Sequence, residues 1–262
     1  MTYISNKDFY TEVSKGNVAG HSIVNKFGRN SVVGTTLSFI SISGQYQTPL
    51  TATNLEIVSA SINDTAAGSG GRKVTIVGLN SSFNEISVEV TLNGTTAVAV
   101  GTQFARVYKM YVSESGSYAT ISTPSHNGII TLRTSGGGVT WAIIDTIEGT
   151  SIGTGIGQTQ ISGYTIPAGY TGYLLSKNIS VEAAKPASVY FFKRENADDV
   201  ATPFIGTMRL FEQNDGISTP LSVGLKAPIQ KLNEKTDVGF FAKVGTGTAS
   251  VSTEFQILLV QN

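Results

Sequence analysis

The sequence predicts an all-β protein: two antiparallel β-sandwich domains, the second jelly-roll-like, with a short N-terminal arm. Two observations carry this. Ile86, Val88, Val90 and Leu92 alternate with Glu85, Ser87, Glu89 and Thr91, the period-2 pattern of a strand with one buried and one wet face. Asn93-Gly94 follows at once, a dipeptide that tolerates the positive φ angles of a type I′ hairpin. Short runs rich in Val, Ile, Thr, Tyr and Phe then recur along the chain between Gly, Ser and Thr turns, a spacing typical of sandwiches and barrels rather than βαβ units. The stretch from Thr53 to Val112 reads as one uninterrupted antiparallel meander.

Taken from the start, the chain offers one short helix. Asn6 is placed to cap Lys7 to Lys15, Gly16 to stop it, and Phe9, Tyr10 and Val13 to give it an apolar edge. Residues 16–34 are rich in Gly and Asn, with a brief strand at Ile23-Val24. Residues 1–34 thus read as an arm that needs a surface to lie on, or else as an N-terminal strand of the following domain. The first domain is expected over 35–145, with strands at Thr36–Ser41, Asn54–Ala60, Lys73–Leu79, Glu85–Leu92, Thr95–Val100, Phe104–Val112, Tyr118–Ser122, Ile129–Arg133 and Val139–Ile144. Residues 146–163 are Gly- and Thr-rich with little to bury, and read as a linker. The second domain, 164–262, places a Pro-Ala-Gly turn before a strand at its start. Val238, Phe240, Ala242 and Val244 share one strand face near its end, and Val251, Thr253, Phe255, Ile257 and Leu259 another. No repeat of 20 to 50 residues is evident.

Composition narrows the function. Lys plus Arg and Asp plus Glu are both 18 in 262 residues, so the neutral chain has no electrostatic reason to seek nucleic acid or an anionic membrane. Charged residues make up only 14%, which suits a protein that covers much of its surface in an assembly. The absence of cysteine removes disulfides, thiolate metal sites and Cys nucleophiles. The N-terminal residues lack the apolar run of a signal peptide, and no window approaches a membrane span, so a role outside the cell implies release by lysis.

Little in the sequence points to catalysis. His21 and His126 are the only histidines, without carboxylates at ligand spacing, and read as packing or turn residues rather than zinc ligands. No G-x-S-x-G elbow stands on a strand-to-helix turn. Gly153, Gly155 and Gly157 form a Gly-x-Gly-x-Gly string with no helix after it to hold phosphate. Asp198, Asp199 and Asp215 do not have EF-hand spacing. Trp141, the only tryptophan, lies within an apolar strand and reads as core. No catalytic, cofactor or metal residue is therefore expected.

Contact residues are easier to nominate. His21, Ile23, Lys26, Phe27 and Arg29 are the large side chains of the arm. Adjacent Phe191-Phe192 and Phe240-Phe241 cannot both point inward from a strand, so one of each pair covers an outer face, under a second layer of the domain or against another subunit.

The blocks GNVAGHSIVNKFGRN, SASINDTAAGSGGRKVTIVGLNSSFNEISVEVTLNGTTAV, YTIPAGYTGYLL and KLNEKTDVGFFAKV resemble, in that order, virion structural proteins of tailed bacteriophages, those of aquatic bacteria in particular. The resemblance spans most of residues 16–112 and 164–262. It implies a place in a particle and brings no catalytic residues. The expected role is a non-enzymatic capsid decoration or cement protein of the virion, assembled in the host cytoplasm. Its partners would be the major capsid protein or other virion proteins and further copies of itself, with no cofactor, nucleic acid or membrane. The alternative is a tail or fibre component recognising a cell-surface glycan. A particle-borne hydrolase would instead show clustered carboxylates with perturbed pKa values.

Overall fold

The computed structural model describes residues 7–120, 122–145, 156–224 and 230–262. One helix, α1 (Phe9–Ser14), precedes seventeen strands: β1 (His21–Val33), β2 (Ser38–Phe39), β3 (Thr53–Ser59), β4 (Gly71–Leu79), β5 (Glu85–Thr91), β6 (Val98–Phe104), β7 (Arg106–Ser115), β8 (Ile130–Thr134), β9 (Thr140–Ile144), β10 (Gly163–Thr165), β11 (Tyr170–Val181), β12 (Ala187–Arg194), β13 (Arg209–Ile217), β14 (Leu221–Gly224), β15 (Gln230–Leu232), β16 (Asp237–Val244) and β17 (Ala249–Gln261). All pairings between these strands are antiparallel. The helix is capped by Asp8, whose carboxylate accepts from the Thr11 amide at 2.8 Å. The expected cap, Asn6, lies outside the described residues. Gly16, at φ +76°, ends the helix in a Schellman arrangement, with its amide on Val13 and that of Asn17 on Glu12.

Four sheets enclose two cores. Sheet 1 runs β1-β17-β11-β14, with β15 also on β11, and sheet 2 runs β10-β16-β12-β13, with β2 on β16. Between them lie Leu174, Ile179, Phe191, Phe240, Val251, Phe255 and Ile257. Sheet 3 runs β6-β3-β8-β9 and sheet 4 runs β5-β4-β7. They enclose Leu55, Ile57, Val74, Ile76, Met110, Leu132 and Trp141. The alternating faces expected of β16 and β17 are the ones buried.

Three expectations change. The segment read as an arm is, over His21–Val33, a thirteen-residue edge strand paired with the last strand from His21↔Val260 to Val33↔Ala249. Backbone pairing satisfies its Gly- and Asn-rich stretch, which local propensity left without a partner. Residues 38–39 join sheet 2 rather than the first domain, so the body made of sheets 3 and 4 sits between two segments of the other. From Ile156 onward the segment read as a linker is packed. Gln158 bridges to Tyr111, Ile161 bridges to Ser41, and Ser162 is fully buried, while residues 146–155 lie outside the described residues.

The Thr53–Val112 meander is also divided between two sheets. β5 pairs with β4, β6 pairs with β3, and a break at Ala105 separates β6 from β7. Asn93-Gly94 does not close a hairpin. Only Gly94 has positive φ, and its amide donates to the Asp64 carbonyl at 2.7 Å, turning the chain from one sheet to the other. Periodicity reports which face of a strand is buried but not which strand lies beside it. Residues 118–120, within the expected Tyr118–Ser122 strand, form no strand, and Ile121 lies outside the described residues.

Within the body of sheets 1 and 2, glycines let backbones touch close to the junction. A Cβ on Gly28 would lie 2.2 Å from the Ser162 nitrogen and 2.6 Å from the Ile40 oxygen. Paired Gly163 and Gly239 together form the floor for the Phe39 ring. Gly28→Ala is therefore expected to lose about 3 kcal/mol or more in urea unfolding, because backbone cannot move aside. Gly34→Ala, with nothing within 4 Å, should stay within about 0.5 kcal/mol.

Candidate interface surfaces around the junction

At the centre of the junction, Arg106 of β7 reaches Asp237 of β16 with both ends of its guanidinium, Nε to Oδ1 at 2.8 Å and NH2 to Oδ2 at 2.9 Å. Its remaining NH1 donates to the Ala105 carbonyl at 2.7 Å, and the Phe83 ring lies 5.2 Å away. Thr165 donates to Asp237 Oδ1 at 2.6 Å and meets the Tyr46 hydroxyl at 2.7 Å. Tyr108 and Tyr164 pack edge to face at 4.8 Å, and the Tyr108 hydroxyl donates to Glu85. Burial, with nearby Tyr164 and Glu85, pushes the Tyr108 phenol far above its usual range. These groups flank two grooves, both between the bodies.

The first groove, about 220 Å³, is lined by Asn25, Lys26, Phe27, Tyr108, Lys109, Gln158, Thr159 and Glu254. Here the structure separates the five nominated residues of the N-terminal segment. Register places His21, Ile23, Phe27 and Arg29 on the outer face of sheet 1, opposite Val260, Leu258, Glu254 and Ser252. His21 and Ile23 are partly covered by α1, His21 with its ring 5.7 Å from that of Phe9. Phe27 is exposed, and the Arg29 Nε donates to Ser250 at 3.2 Å. Lys26 points the other way, across the junction. It is buried, donates to the Tyr108 carbonyl and sits 5.5 Å from that ring's centre. Burial, helped by the charge of Lys109, pulls its ammonium down to about 7.

The phenylalanine pairs divide as strand geometry requires. Phe191 and Phe240 are core residues with centroids 4.6 Å apart, so neither is available to another subunit. Phe192 and Phe241 lie on the outer face, 5.0 Å apart. Phe241 is covered by Phe39 of its own chain at 5.1 Å and packs against the other core. For Phe241 the covering layer is intramolecular, one of the two alternatives the sequence left open, while Phe192 is half-buried on the outer face.

The exposed apolar surface is elsewhere, on the segment that leads into β13. Val200, Phe204, Ile205, Met208 and Leu210 are all at least 40% exposed, with Ile205 at 62%. The segment is built rather than loose. The Asp199 carboxylate accepts from the Ile205 amide at 2.6 Å, and the backbone bonds from Ile205, Gly206 and Ala201 hold it below the usual carboxylate range. Asp198 pairs with Lys235 at 2.8 Å, and the Ala197 amide donates to the Lys235 carbonyl. Gly206 is pressed against the Asn196 carbonyl, where a Cβ would lie 2.4 Å away. β13 is an edge strand of sheet 2, and the second groove, about 230 Å³, opens beside Val200 and Leu50 with Phe83 and Arg106 among its lining. The five apolar residues within eleven positions were the available sequence signal. Pro203 interrupts the i, i+4, i+8 spacing of Val200, Phe204 and Met208, so the run reads as no regular element.

Other titratable groups serve the fold. Asp64 accepts from Ser59, Gly71, Asn127 and Gly128 at 2.5 to 2.9 Å, tying the β3–β4 connection to the one before β8. His126 is buried beside this knot with Nδ1 on Ser125, and burial lowers its pKa. Asp215 accepts from Gln213. Trp141 is core, its indole donating to Thr134 at 3.0 Å. Among the described residues, no three His, Asp or Glu side chains are grouped to hold a metal ion, and no helix is long and apolar enough to cross a membrane.

No family model and no curated protein matches the chain. Among solved structures it is similar to the infectious bursal disease virus Gx strain, at 10% identity and TM-score 0.18, over 92% of this chain and 71% of that one. It is also similar to T=1 particles derived from infectious bursal virus, at 12% identity and TM-score 0.19, over 92% and 74%. A third is the isomalto-dextranase of Arthrobacter globiformis T6 complexed with panose, at 10% identity and TM-score 0.21, over 88% and 36%. At these TM-scores the likenesses decide neither architecture nor role.

Two measurements probe the junction. Arg106→Met removes two hydrogen bonds from the Asp237 carboxylate, leaving it Thr165 and, at 3.6 Å, Arg194, and is expected to cost about 3 kcal/mol, whereas Arg106→Met with Asp237→Leu should recover part of that loss in chemical denaturation. Lys26 titrates near 10.5 when unfolded and about 7 in the fold. Between these values the unfolded chain holds the extra proton, so stability rises with pH, by at most about 1.4 kcal/mol per pH unit. Below about pH 7 both states are protonated and the gain is gone. Lys26→Met should flatten this rise in urea midpoints measured from pH 7 to 10.

Proposed function

We propose that this chain is a non-enzymatic structural protein of a virion, in the more specific form a capsid decoration or cement protein, built of two sandwich-like units of which the second is jelly-roll-like. The observation that carries the reading is the segment from Val200 to Leu210, whose backbone is tied down while its apolar side chains face solvent. A soluble monomer gains nothing by ordering such a surface, and exposed apolar patches of this kind mark contacts. Its continuity with the edge strand β13 adds unpaired backbone groups for a partner strand. Low charge content, an almost wholly β framework and the resemblance of the ordered sequence blocks to virion proteins support the same role. The partner is a capsid or other virion protein. Repetition on a symmetric particle would multiply a modest contact through avidity.

The N-terminal segment takes a smaller part in this reading than its sequence suggested. β1 belongs to a sheet, so deleting residues 1–34 would remove a strand rather than test binding. Phe27 and Arg29 remain as outer-face contacts of sheet 1.

Mass spectrometry of particles purified from the culture that expresses the chain should find it in stoichiometric amount, and its absence would overturn the virion assignment. Phe204→Asp with Ile205→Asp should unfold within a few degrees of the parent, because both residues face solvent. Its association with stripped particles should fall tenfold or more. Unchanged association would remove the loop from the interface.

A further inference from the structure

The groove over Lys26 has a property unrelated to the apolar loop. Three cationic side chains are buried among the described residues: Lys26, Arg106 and Lys177. Arg106 has Asp237 and Lys177 has Glu212. Lys26 has a backbone carbonyl and an aromatic face but no carboxylate within ion-pair distance. An ammonium carries three N–H donors, and the Tyr108 carbonyl accounts for one. Burying a cation without a counter-charge is among the costlier things a fold can do.

The surroundings of Lys26 are suited to supplying the missing charge from solution. The groove's roughly 220 Å³ is several times the 30 Å³ share of a water molecule. Lys109 lines it beside Lys26, and the side-chain amide of Gln158 adds a neutral donor. The Thr159 hydroxyl oxygen accepts from the Met110 amide at 3.0 Å, leaving its own proton to donate. Glu254 is the one acid on the wall. It is exposed and takes a bond from Asn178, and it sits on the outer face of sheet 1 rather than on the Lys26 side. No arginine lines the groove, and its lysines act as point charges, a common way of binding phosphate; paired, they favour a doubly charged oxyanion over a singly charged carboxylate.

We propose that this inter-body groove binds a small tetrahedral oxyanion, phosphate or sulfate, between the ammonium groups of Lys26 and Lys109. The bound anion would bridge β1 of one body to β7 of the other. Binding favours protonated Lys26, so affinity should fall as pH rises through neutrality. The other titratable groups lining the groove are Lys109, Tyr108 and Glu254, of which burial holds the Tyr108 phenol far above its usual range.

The test uses the full chain labelled with 13C-lysine and sulfate as the probe, because sulfate keeps its charge across the range. Titration at pH 6 and constant ionic strength, with chloride as the balancing salt, should shift the Lys26 Cε resonance saturably and raise the melting temperature more than chloride does. Affinity should weaken about tenfold between pH 6 and pH 8. Lys26→Met, an apolar replacement of similar length, should abolish the sulfate-specific rise in melting temperature, and Lys109→Met should weaken binding severalfold. Phosphate should compete with sulfate. A linear, unsaturated shift, or a sulfate response that survives Lys26→Met, would overturn the site, and acetate binding as tightly as sulfate would overturn its preference for a doubly charged oxyanion.

Discussion

Everything in this molecule is arranged around the buried Arg106–Asp237 pair. The two residues are 131 positions apart, on strands of different bodies, yet two parallel hydrogen bonds hold them in one geometry. Such a pair adds little net stability over an apolar contact, because both charges lose water. What it supplies is register. A guanidinium and a carboxylate satisfied at this depth tolerate no sliding, so β7 and β16 can meet in one way only. Thr165 and Tyr46 extend the network, while Phe83 lies against the guanidinium. The grooves beside it are what remains where the two bodies approach without merging.

The order of the chain deepens this dependence. β1 and β17, among the longest strands, are partners, so sheet 1 cannot be completed until the C-terminus has been made. The body of sheets 3 and 4 is formed by the intervening sequence and can collapse on its own hydrophobic residues first. In the other body, Gly28 lets β1 lie against the backbone at Ser162 and Ile40, and Gly163 and Gly239 leave room for the Phe39 ring, which joins the core of sheets 3 and 4. Apolar clusters cross the boundary in both directions: Leu79, Phe83 and Ala105 join the core of sheets 1 and 2, and Phe39 and Phe241 join the other. The junction is thus part of each core.

The outer surfaces divide the work. Aromatic residues that looked free in sequence are spent on holding the two bodies together. The exposed apolar surface lies on the Val200–Leu210 segment, held by Asp199 and the Asn196–Ala197 turn. Rigid presentation lowers the entropy lost on docking, so a modest patch can serve. The Lys26 groove lies at another part of the junction and offers charge instead of apolar area.

Local sequence determined the strand content, the buried faces of β5, β16 and β17, the Gly16 helix stop and the core position of Trp141. Each of these depends on side-chain alternation or backbone conformation within a few residues, and those are written in the chain itself. Strand neighbours, the fate of residues 21–33, the splitting of the meander and the use of Phe241 were decided only in three dimensions. A strand's free hydrogen-bonding edges look the same to every candidate partner until the cores have chosen among them. The surroundings of Phe204, Ile205 and Lys26 were hidden for the same reason. Phe204 and Ile205 are as apolar as any core pair, and Lys26 resembles any surface lysine, until tertiary packing leaves the first two in water and takes the third out of it.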